Sequence, residues 1–359
     1  MHKTGSIDLP LHPGKCPPWL FKRMRALSGE IAAAIIEEYG TRELVFRLSN
    51  PIFFQALGCV VGFDWHSSGL TTTVSAALKE GTPKEYGIAF CGGKGKASKI
   101  TIAEIEKNAD LFGLSSSKTE ELLKATRMSA KVDSSCIQDG YELYHHLFVF
   151  DKKCNWAVVQ QGLNDENGYA RRYHWFNSET FVENPNDIIA GYKHERVLNL
   201  TSEKSEAVRK ASVELVNDNP IHIKNELNGQ KTLFDNVKII MPSRHHIIRV
   251  DLSERDWKML QATYELQPQN YEELVSLHGV GGKTLRALAL LAKIIYGEEA
   301  DWNDPVKYSY AHGGKDGIPY PVDLRNYDNS IEFLRRLIEE RKIGDEKTKA
   351  IMKRLASIV

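Results

Sequence analysis

The sequence contains few cysteines and no excess of charge of either sign. Five cysteines stand among 359 residues, and no two of them have C-x-x-C spacing. This argues against a disulfide framework and against a cysteine-rich zinc site, and it fits a reducing compartment. The 47 Lys and Arg residues equal the 47 Asp and Glu residues. A polyanionic partner would therefore have to meet a local basic surface.

Long apolar runs are absent as well. No stretch approaches the ~18 consecutive apolar residues of a membrane-spanning helix, and the segment Met1 to Gly5 lacks the apolar core of a signal peptide. We therefore expect a cytoplasmic protein with no membrane partner. The chain is long enough for roughly two domains that bury their own cores.

Hydrophobic periodicity predicts an α+β fold, with a mixed helix and strand domain over 1–245 and an all-α domain over 246–359. In the first part, Thr101 and Glu104 have the spacing of a capping box that opens a helix. The other helices and strands predicted there are helices over 20–39, from 51, after 69 and over 201–216, and strands over 86–91, 143–150 and 156–160. The predicted C-terminal helices cover 253–266, 271–277, 283–296, 331–341 and 345–358.

The sharpest motif is a glycine-rich turn between two of these C-terminal helices. Glycines permit a tight turn and a close backbone approach, and the unpaired N–H groups that open the second helix attract an anion. A DNA phosphate would fit there without base specificity, while a valine within the turn would plug the core between the helices. The alternative is a tight helix–helix turn that binds nothing. The predicted DNA contacts are Gly279, Val280, Gly281, Gly282, Lys283 and Thr284.

This motif resembles the helix-hairpin-helix of endonuclease III-type DNA repair proteins. The resemblance implies that Lys283 is a Schiff-base nucleophile and that Asp301, 18 residues further on, is a catalytic aspartate, with Asp304 competing for that role. Two departures stand out: His278 replaces the usual proline, and the C-terminal four-cysteine pattern is absent, so no iron–sulfur cluster is expected. A charged Lys283 that contacts a phosphate is the simpler interpretation, because it needs no lowered pKa.

The N-terminal two thirds collects polar residues of the types that catalysis uses. Asp64 and His66 surround a sharp turn, where they could bind a divalent metal such as Mg²⁺ or activate water. His145 and His146 are adjacent on a predicted strand, so they point to opposite faces and at most one of them faces a given site. The predicted catalytic residues of this region are Asp64, His66 and His145. The ordinary alternative for His145 is a histidine whose hydrogen bonds are satisfied within the sheet.

Basic residues of the same region are predicted to contact DNA. Lys94 and Lys96 alternate with glycines and suit a phosphate. Arg171 and Arg172 open a basic and aromatic segment that ends at Trp175, a mixture typical of nucleic-acid surfaces. Arg244 stands beside two histidines in a similar arrangement. A solvated turn and simple core packing are the structural alternatives.

Six segments together resemble a family named domain of unknown function 763, found in archaea and some bacteria. They are Asp8–His12, Leu57–Gly69, Cys91–Lys96, Asp139–His146, Ala170–Trp175 and Met241–His246. The resemblance covers nearly the whole chain and implies a DNA-processing protein, without supplying a mechanism. We expect a DNA repair endonuclease that incises damaged DNA. A DNA glycosylase or AP lyase that uses Lys283, and a non-catalytic DNA-binding protein, are the alternatives.

Overall fold

The computed structural model describes residues 9–11, 15–63, 67–185, 188–223 and 254–306. The helices are α1 (Pro18–Tyr39), α2 (Thr41–Ser49), α3 (Pro51–Val60), α4 (Ser68–Gly81), α5 (Thr101–Leu111), α6 (Ser116–Ser135), α7 (Glu206–Asn217), α8 (Glu254–Leu266), α9 (Tyr271–Ser276) and α10 (Gly282–Leu291), which continues as a π-helical turn over Ala292–Tyr296. The strands are β1 (Leu9–Pro10), β2 (Ile88–Lys94), β3 (Ile137–Gln138), β4 (Glu142–Asp151), β5 (Trp156–Asn164), β6 (Tyr169–Phe176), β7 (Ile188–Ala190) and β8 (Leu198–Asn199).

An antiparallel sheet forms the centre of the protein. Its strand order is β1-β6-β5-β4-β2, and β7 also pairs with β6. The predicted hairpin over 143–160 is confirmed as β4 and β5, whose register shifts at a bulge between Leu143 and His145. The short strands β3 and β8 pair separately. Helices and an antiparallel sheet together confirm the predicted α+β class.

Helices cover both faces of this sheet. In β4, Leu147 and Val149 pack with residues of α1 to α4, whereas the alternate residues Phe148 and Phe150 pack with residues of α5 to α10. Because successive side chains of a strand point to opposite faces, each central strand must be apolar on both sides over this stretch. A polar residue in these strands is therefore buried whichever face it takes.

The described part of the C-terminal segment packs on the rest of the chain. Leu274 of α9 and Leu288 of α10 belong to the same hydrophobic cluster as Leu122 of α6 and Leu215 of α7. The predicted boundary at 245 and the helices predicted over 331–358 lie outside the described residues. The all-α domain over 246–359 thus stays a prediction. Among the described helices, none is both long and apolar enough to cross a lipid bilayer.

The capping box predicted at the start of α5 is wrong, although the helix does begin at Thr101. The Thr101 hydroxyl donates to the carbonyl of Ser98 at 2.8 Å. Glu104 instead accepts from the backbone N–H of Gly92 at 2.6 Å and from Lys79 Nζ at 2.7 Å. The carboxylate is used to hold the end of β2 against α4, a tertiary role that local spacing does not indicate.

Candidate functional site

One end of the sheet gathers several of the polar residues that the sequence singled out. Lys94, His145, Gln161 and Arg172 are direct register partners on β2, β4, β5 and β6. Partners in an antiparallel sheet share a face, so the four side chains form one polar row across it. Lys94 is exposed and the other three are fully buried. We refer to these four residues as the polar row.

The N-terminal half of α4 lies over the polar row. Thr71 donates its hydroxyl hydrogen to Gln161 Oε1, and Ser75 Oγ is 3.1 Å from His145 Nε2. Gln161 also donates to the carbonyl of Ser68 at 2.8 Å. The positive end of the α4 dipole and the Arg172 guanidinium therefore lie on the same side of the sheet, which makes this end favourable for negative charge.

The two adjacent histidines point to opposite faces, as predicted. His145 contacts α4, whereas His146 Nε2 is 2.6 Å from Thr126 Oγ1 of α6. Burial, with smaller contributions from His146, Arg172 and Lys94, lowers the pKa of His145 to about 3. Near neutral pH it is an uncharged and very weak base, which does not favour the predicted catalytic role in proton transfer. Its position instead suits a neutral hydrogen-bonding group of the polar row.

The positions of Arg171 and Arg172 are at odds with the predicted DNA contact. Both side chains are completely buried. Arg171 forms ion pairs with Asp139 at 2.8 Å and with Asp304 at 2.6 Å. Arg172 donates to the side-chain oxygen of Gln55. Both side chains are therefore engaged inside the protein and are out of reach of a DNA strand on the surface.

The end of β2 and the residues that follow it fit the predicted contact with phosphate. Lys94 and Lys96 are both exposed. Gly92 and Gly93 have φ of 92° and 140°, values that side chains rarely tolerate, so the strand can bend sharply before the lysines. Lys79 donates to the Gly92 carbonyl at 2.8 Å and holds the bend in place. The DNA contact itself stays a prediction.

Residues 277–281 join α9 to α10, and we call this segment the glycine turn. Gly279 has a φ of 89°, and Val280 is only 3% exposed, which confirms its predicted place in the core. Gly281 precedes α10 in an extended conformation, with φ −141° and ψ −173°. Lys283 is exposed in the first turn of α10, whereas Thr284 is buried.

Neighbouring elements hold both ends of the glycine turn. Lys131 of α6 donates to the Leu277 carbonyl. On the other side, Gln138 of β3 donates to the Gly282 carbonyl at 2.7 Å, and its own oxygen accepts from Arg286 at 2.9 Å. The backbone of the turn is thus fixed before any ligand arrives. Sequence reasoning missed these supporting residues, because they lie about 145 positions away from the turn in the chain.

Gly279 and Gly281 differ in whether the surrounding structure has room for a side chain. A Cβ atom at Gly279 would lie 2.2 Å from Cε of Met259, in addition to its positive φ. At Gly281, by contrast, no atom of the described structure lies within 4 Å of the Cβ position, and the backbone conformation suits any residue. The part of the fold that the structure describes therefore requires glycine at 279 and does not require it at 281.

The two candidate aspartates are both engaged within the protein. Asp301 accepts from the backbone N–H and side-chain amide of Asn303 at 3.0 and 2.6 Å. Although burial alone raises its pKa, hydrogen bonds from Ser202 and Asn303 lower it below the usual value. Asp304 pairs with the buried Arg171. These contacts place Asp304 in the interior and leave the catalytic role of Asp301 a prediction.

The remaining predicted site residues, Asp64, His66 and Arg244, lie outside the described residues. Within the described ranges, no three His, Cys, Asp or Glu side chains come together as a metal-binding group. The predicted Mg²⁺ site therefore rests on Asp64 and His66 alone. The buried thiols offer no nucleophile near neutral pH, since burial raises the pKa of Cys91 and of Cys136 to about 12.

Comparison with known proteins places the chain in a family. Neither a curated protein nor a solved structure matches it. One family model matches residues 5–322, which covers the sheet, both helical layers and the glycine turn. This match agrees with the resemblance that the six sequence segments carry. The chain belongs to the family described as protein of unknown function (DUF763).

Proposed function

We propose that this protein binds DNA through the glycine turn, acting as a helix-hairpin-helix, and that it incises the bound DNA as a repair endonuclease. The observation that carries DNA binding is Gly281, a glycine that the fold does not require. A glycine at the start of a helix lets a bulky ligand approach the backbone closely. Among the described residues, no side chain caps α10. The positive end of the α10 dipole therefore favours a phosphate at this point.

Incision is supported by the polar row at the end of the sheet. The row lies beneath the start of α4, and residues 64–66 immediately precede that helix in the chain. Arg172, Lys94 and the α4 dipole make the region beneath the start of α4 favourable for negative charge. In this proposal, a divalent metal such as Mg²⁺ would be held by Asp64 and His66 and would supply an activated water for phosphodiester hydrolysis.

Substitution of Gly281 tests DNA binding. Gly281→Val places a branched side chain where the phosphate would sit, and we expect affinity for duplex DNA at low salt to fall at least tenfold, a loss of about 1.4 kcal/mol. The exchange also gives α10 a poorer N-cap, worth about 1 kcal/mol in stability. Fluorescence anisotropy with a labelled duplex measures the first effect and thermal unfolding measures the second. Wild-type binding should weaken as salt increases, because phosphate contacts release counterions.

Gly281→Asp separates binding from folding. Aspartate is a favoured N-cap residue and the extended backbone accommodates it, so the stability of α10 should be kept or increased. Its carboxylate would repel a phosphate, so binding should still be lost. If both Gly281 variants bind duplex DNA as the wild type does, the glycine turn is only a helix–helix connection.

Substitution of Lys283 separates hydrolysis from lyase chemistry. If Lys283 contacts a phosphate, Lys283→Gln should weaken binding about tenfold and leave turnover of bound DNA largely intact. Lys283→Arg keeps the charge but lacks the nucleophilic amine, so it should bind and cleave nearly as the wild type does. Cleavage of a duplex with one abasic site, with and without EDTA, provides the measurement. For the proposed endonuclease we expect EDTA to abolish cleavage.

The alternative function predicts the opposite pattern. An AP lyase that uses Lys283 should lose cleavage by orders of magnitude in both variants while its affinity hardly changes. It should also form a covalent adduct that borohydride traps, and it should remain active in EDTA. That outcome would replace the endonuclease proposal with the lyase.

A further inference from the structure

Aromatic side chains form a continuous cluster at the same end of the sheet as the polar row. The rings of Tyr169 and Tyr192 stack with centroids 5.7 Å apart and an interplanar angle of 17°. His194 meets Tyr192 edge-on at 5.3 Å and lies 5.6 Å from Tyr141. We call these four residues the aromatic cluster.

The buried ion pair anchors this cluster through its backbone. Arg171 donates to the Tyr192 carbonyl at 2.7 Å, and its guanidinium lies 4.7 Å from the ring centroid of Tyr141. The backbone N–H of His194 donates to Asp304 at 2.7 Å. The segment that carries Tyr192 is therefore held at two points by groups in the interior. A ring placed on a fixed backbone loses little conformational entropy when a ligand stacks on it.

Tyr192 stacks on Tyr169 and still leaves much of its surface exposed. The side chain is 46% exposed, and the hydrogen bond that anchors this residue uses its carbonyl oxygen. Exposed lysine and arginine side chains, Lys193 and Arg196, are near neighbours in the chain, with the exposed Glu195 between them. The ring thus presents aromatic area to solvent beside groups that a nucleic-acid backbone could contact.

A series of contacts connects the cluster to the start of α10. Gln138 binds the Gly282 carbonyl at the start of α10, and the next residue, Asp139, accepts from the Arg171 guanidinium that anchors Tyr192. Tyr141 follows Gln138 by three positions, a span of at most about 10 Å along the chain. The glycine turn and the cluster are thus both held by one short segment, residues 138–141, and in the proposal a bound strand extends from one to the other.

We infer that Tyr192, backed by Tyr169, is a stacking platform for an unpaired DNA base, so that the substrate of this protein carries a single-stranded or extruded nucleotide. The inference rests on the proposed function, because the glycine turn is what brings the strand to the platform. Every base has an aromatic face, and stacking on a protein ring binds it without regard to sequence. A fully paired duplex keeps its bases inside the helix and cannot use the platform.

The test compares Tyr192→Ala and Tyr192→Trp on three labelled oligonucleotides: a single strand, a duplex with a one-nucleotide bulge and a fully paired duplex. We expect Tyr192→Ala to weaken binding of the first two roughly 5- to 150-fold. Affinity for the paired duplex should stay within about twofold, since it depends on the phosphate contact alone. Tyr192→Trp should retain the affinity, because it preserves an aromatic face. Tyr39→Ala, at a tyrosine 55% exposed on α1, is the matched control and should change nothing.

A second readout is the fluorescence of 2-aminopurine at the bulged position. Stacking on the platform should quench it with the wild type and with Tyr192→Trp, but not with Tyr192→Ala. Equal affinities of wild type and Tyr192→Ala for all three oligonucleotides would overturn the platform. The Gly281→Asp variant would then decide separately whether the glycine turn binds DNA. If Gly281→Asp binds every oligonucleotide normally while Tyr192→Ala does not, the platform is supported and DNA binding through the glycine turn is overturned. A wild-type protein that binds none of them overturns both.

Discussion

Arg171→Leu is expected to lower the free energy of unfolding by about 3–5 kcal/mol, because it leaves two buried carboxylates without their cation. Both carboxylates pair with this guanidinium, and the side chains of Asp139 and Asp304 are each no more than 1% exposed. Although burial by itself lowers the pKa of Arg171, the two carboxylates raise it above the usual value. Stabilities of folded domains are typically about 5–15 kcal/mol, so the loss is a large share of the total. Urea unfolding followed by circular dichroism measures it.

Two variants show that the loss comes from the unpaired charges. Arg196→Leu removes an exposed arginine whose guanidinium lies 4.5 Å from the Trp302 ring centroid, and it should cost no more than about 1 kcal/mol. Adding Asp139→Asn and Asp304→Asn to Arg171→Leu removes the uncompensated charges and should restore part of the stability. An Arg171→Leu protein within 1 kcal/mol of the wild type, on the scale of a surface ion pair, would show that the carboxylates find other partners.

The second large effect is loss of stability in mild acid. Burial lowers the pKa of His145 to about 3, and it also lowers the pKa values of His146 and His174. In the unfolded chain these groups return to a pKa near 6.5. Below pH 6.5 the unfolded state therefore binds protons that the folded state does not bind. The free energy of unfolding falls as the pH falls. Each histidine contributes up to about 1.4 kcal/mol per pH unit, and the three together up to about 4.

Urea midpoints at pH 7, 6 and 5 measure this dependence. Above pH 7 the contribution of these histidines should be constant, and for His145 the decline should continue down to the folded-state pKa of about 3. His145→Gln keeps a hydrogen-bonding side chain without the titrating ring, so its slope below pH 6 should be shallower by about 1.4 kcal/mol per pH unit. A stability that is flat between pH 7 and 5 would show that the buried rings take up protons without unfolding.

Local patterns in the sequence were enough for the elements whose apolar residues repeat regularly. The helix predicted over 20–39 appears as α1, and Gly40, at a φ of 87°, follows it. The β4–β5 hairpin, the opposite orientations of His145 and His146 and the burial of Val280 follow from the same local rules. Each depends on residues within a few positions of one another, and hydrogen bonding and side-chain direction at that range are determined by backbone geometry.

The strand β6 could not be predicted from such local patterns. It carries Arg171, Arg172 and His174, so neither of its faces shows the apolar repeat that predicts a strand, and the basic side chains indicated a nucleic-acid surface. Their burial depends on partners far away in the chain: Asp139 is 32 positions from Arg171, and Asp304 is 133 positions from it. A charge belongs in the interior only when its counter-charge is also there, and sequence spacing does not contain that pairing.

The sequence by itself therefore determined the α+β class and the regularly patterned elements, such as α1 and the β4–β5 hairpin. It also indicated the glycine turn as the place to look for a phosphate. Tertiary structure decided which polar residues are available to a ligand. It buried Arg171, Arg172 and His145 within a sheet covered on both faces, and it left Gly281 and Tyr192 open. The physical reason is that exposure and ionisation depend on the environment that distant segments build around a side chain, whereas helix and strand formation depend largely on the residues beside it.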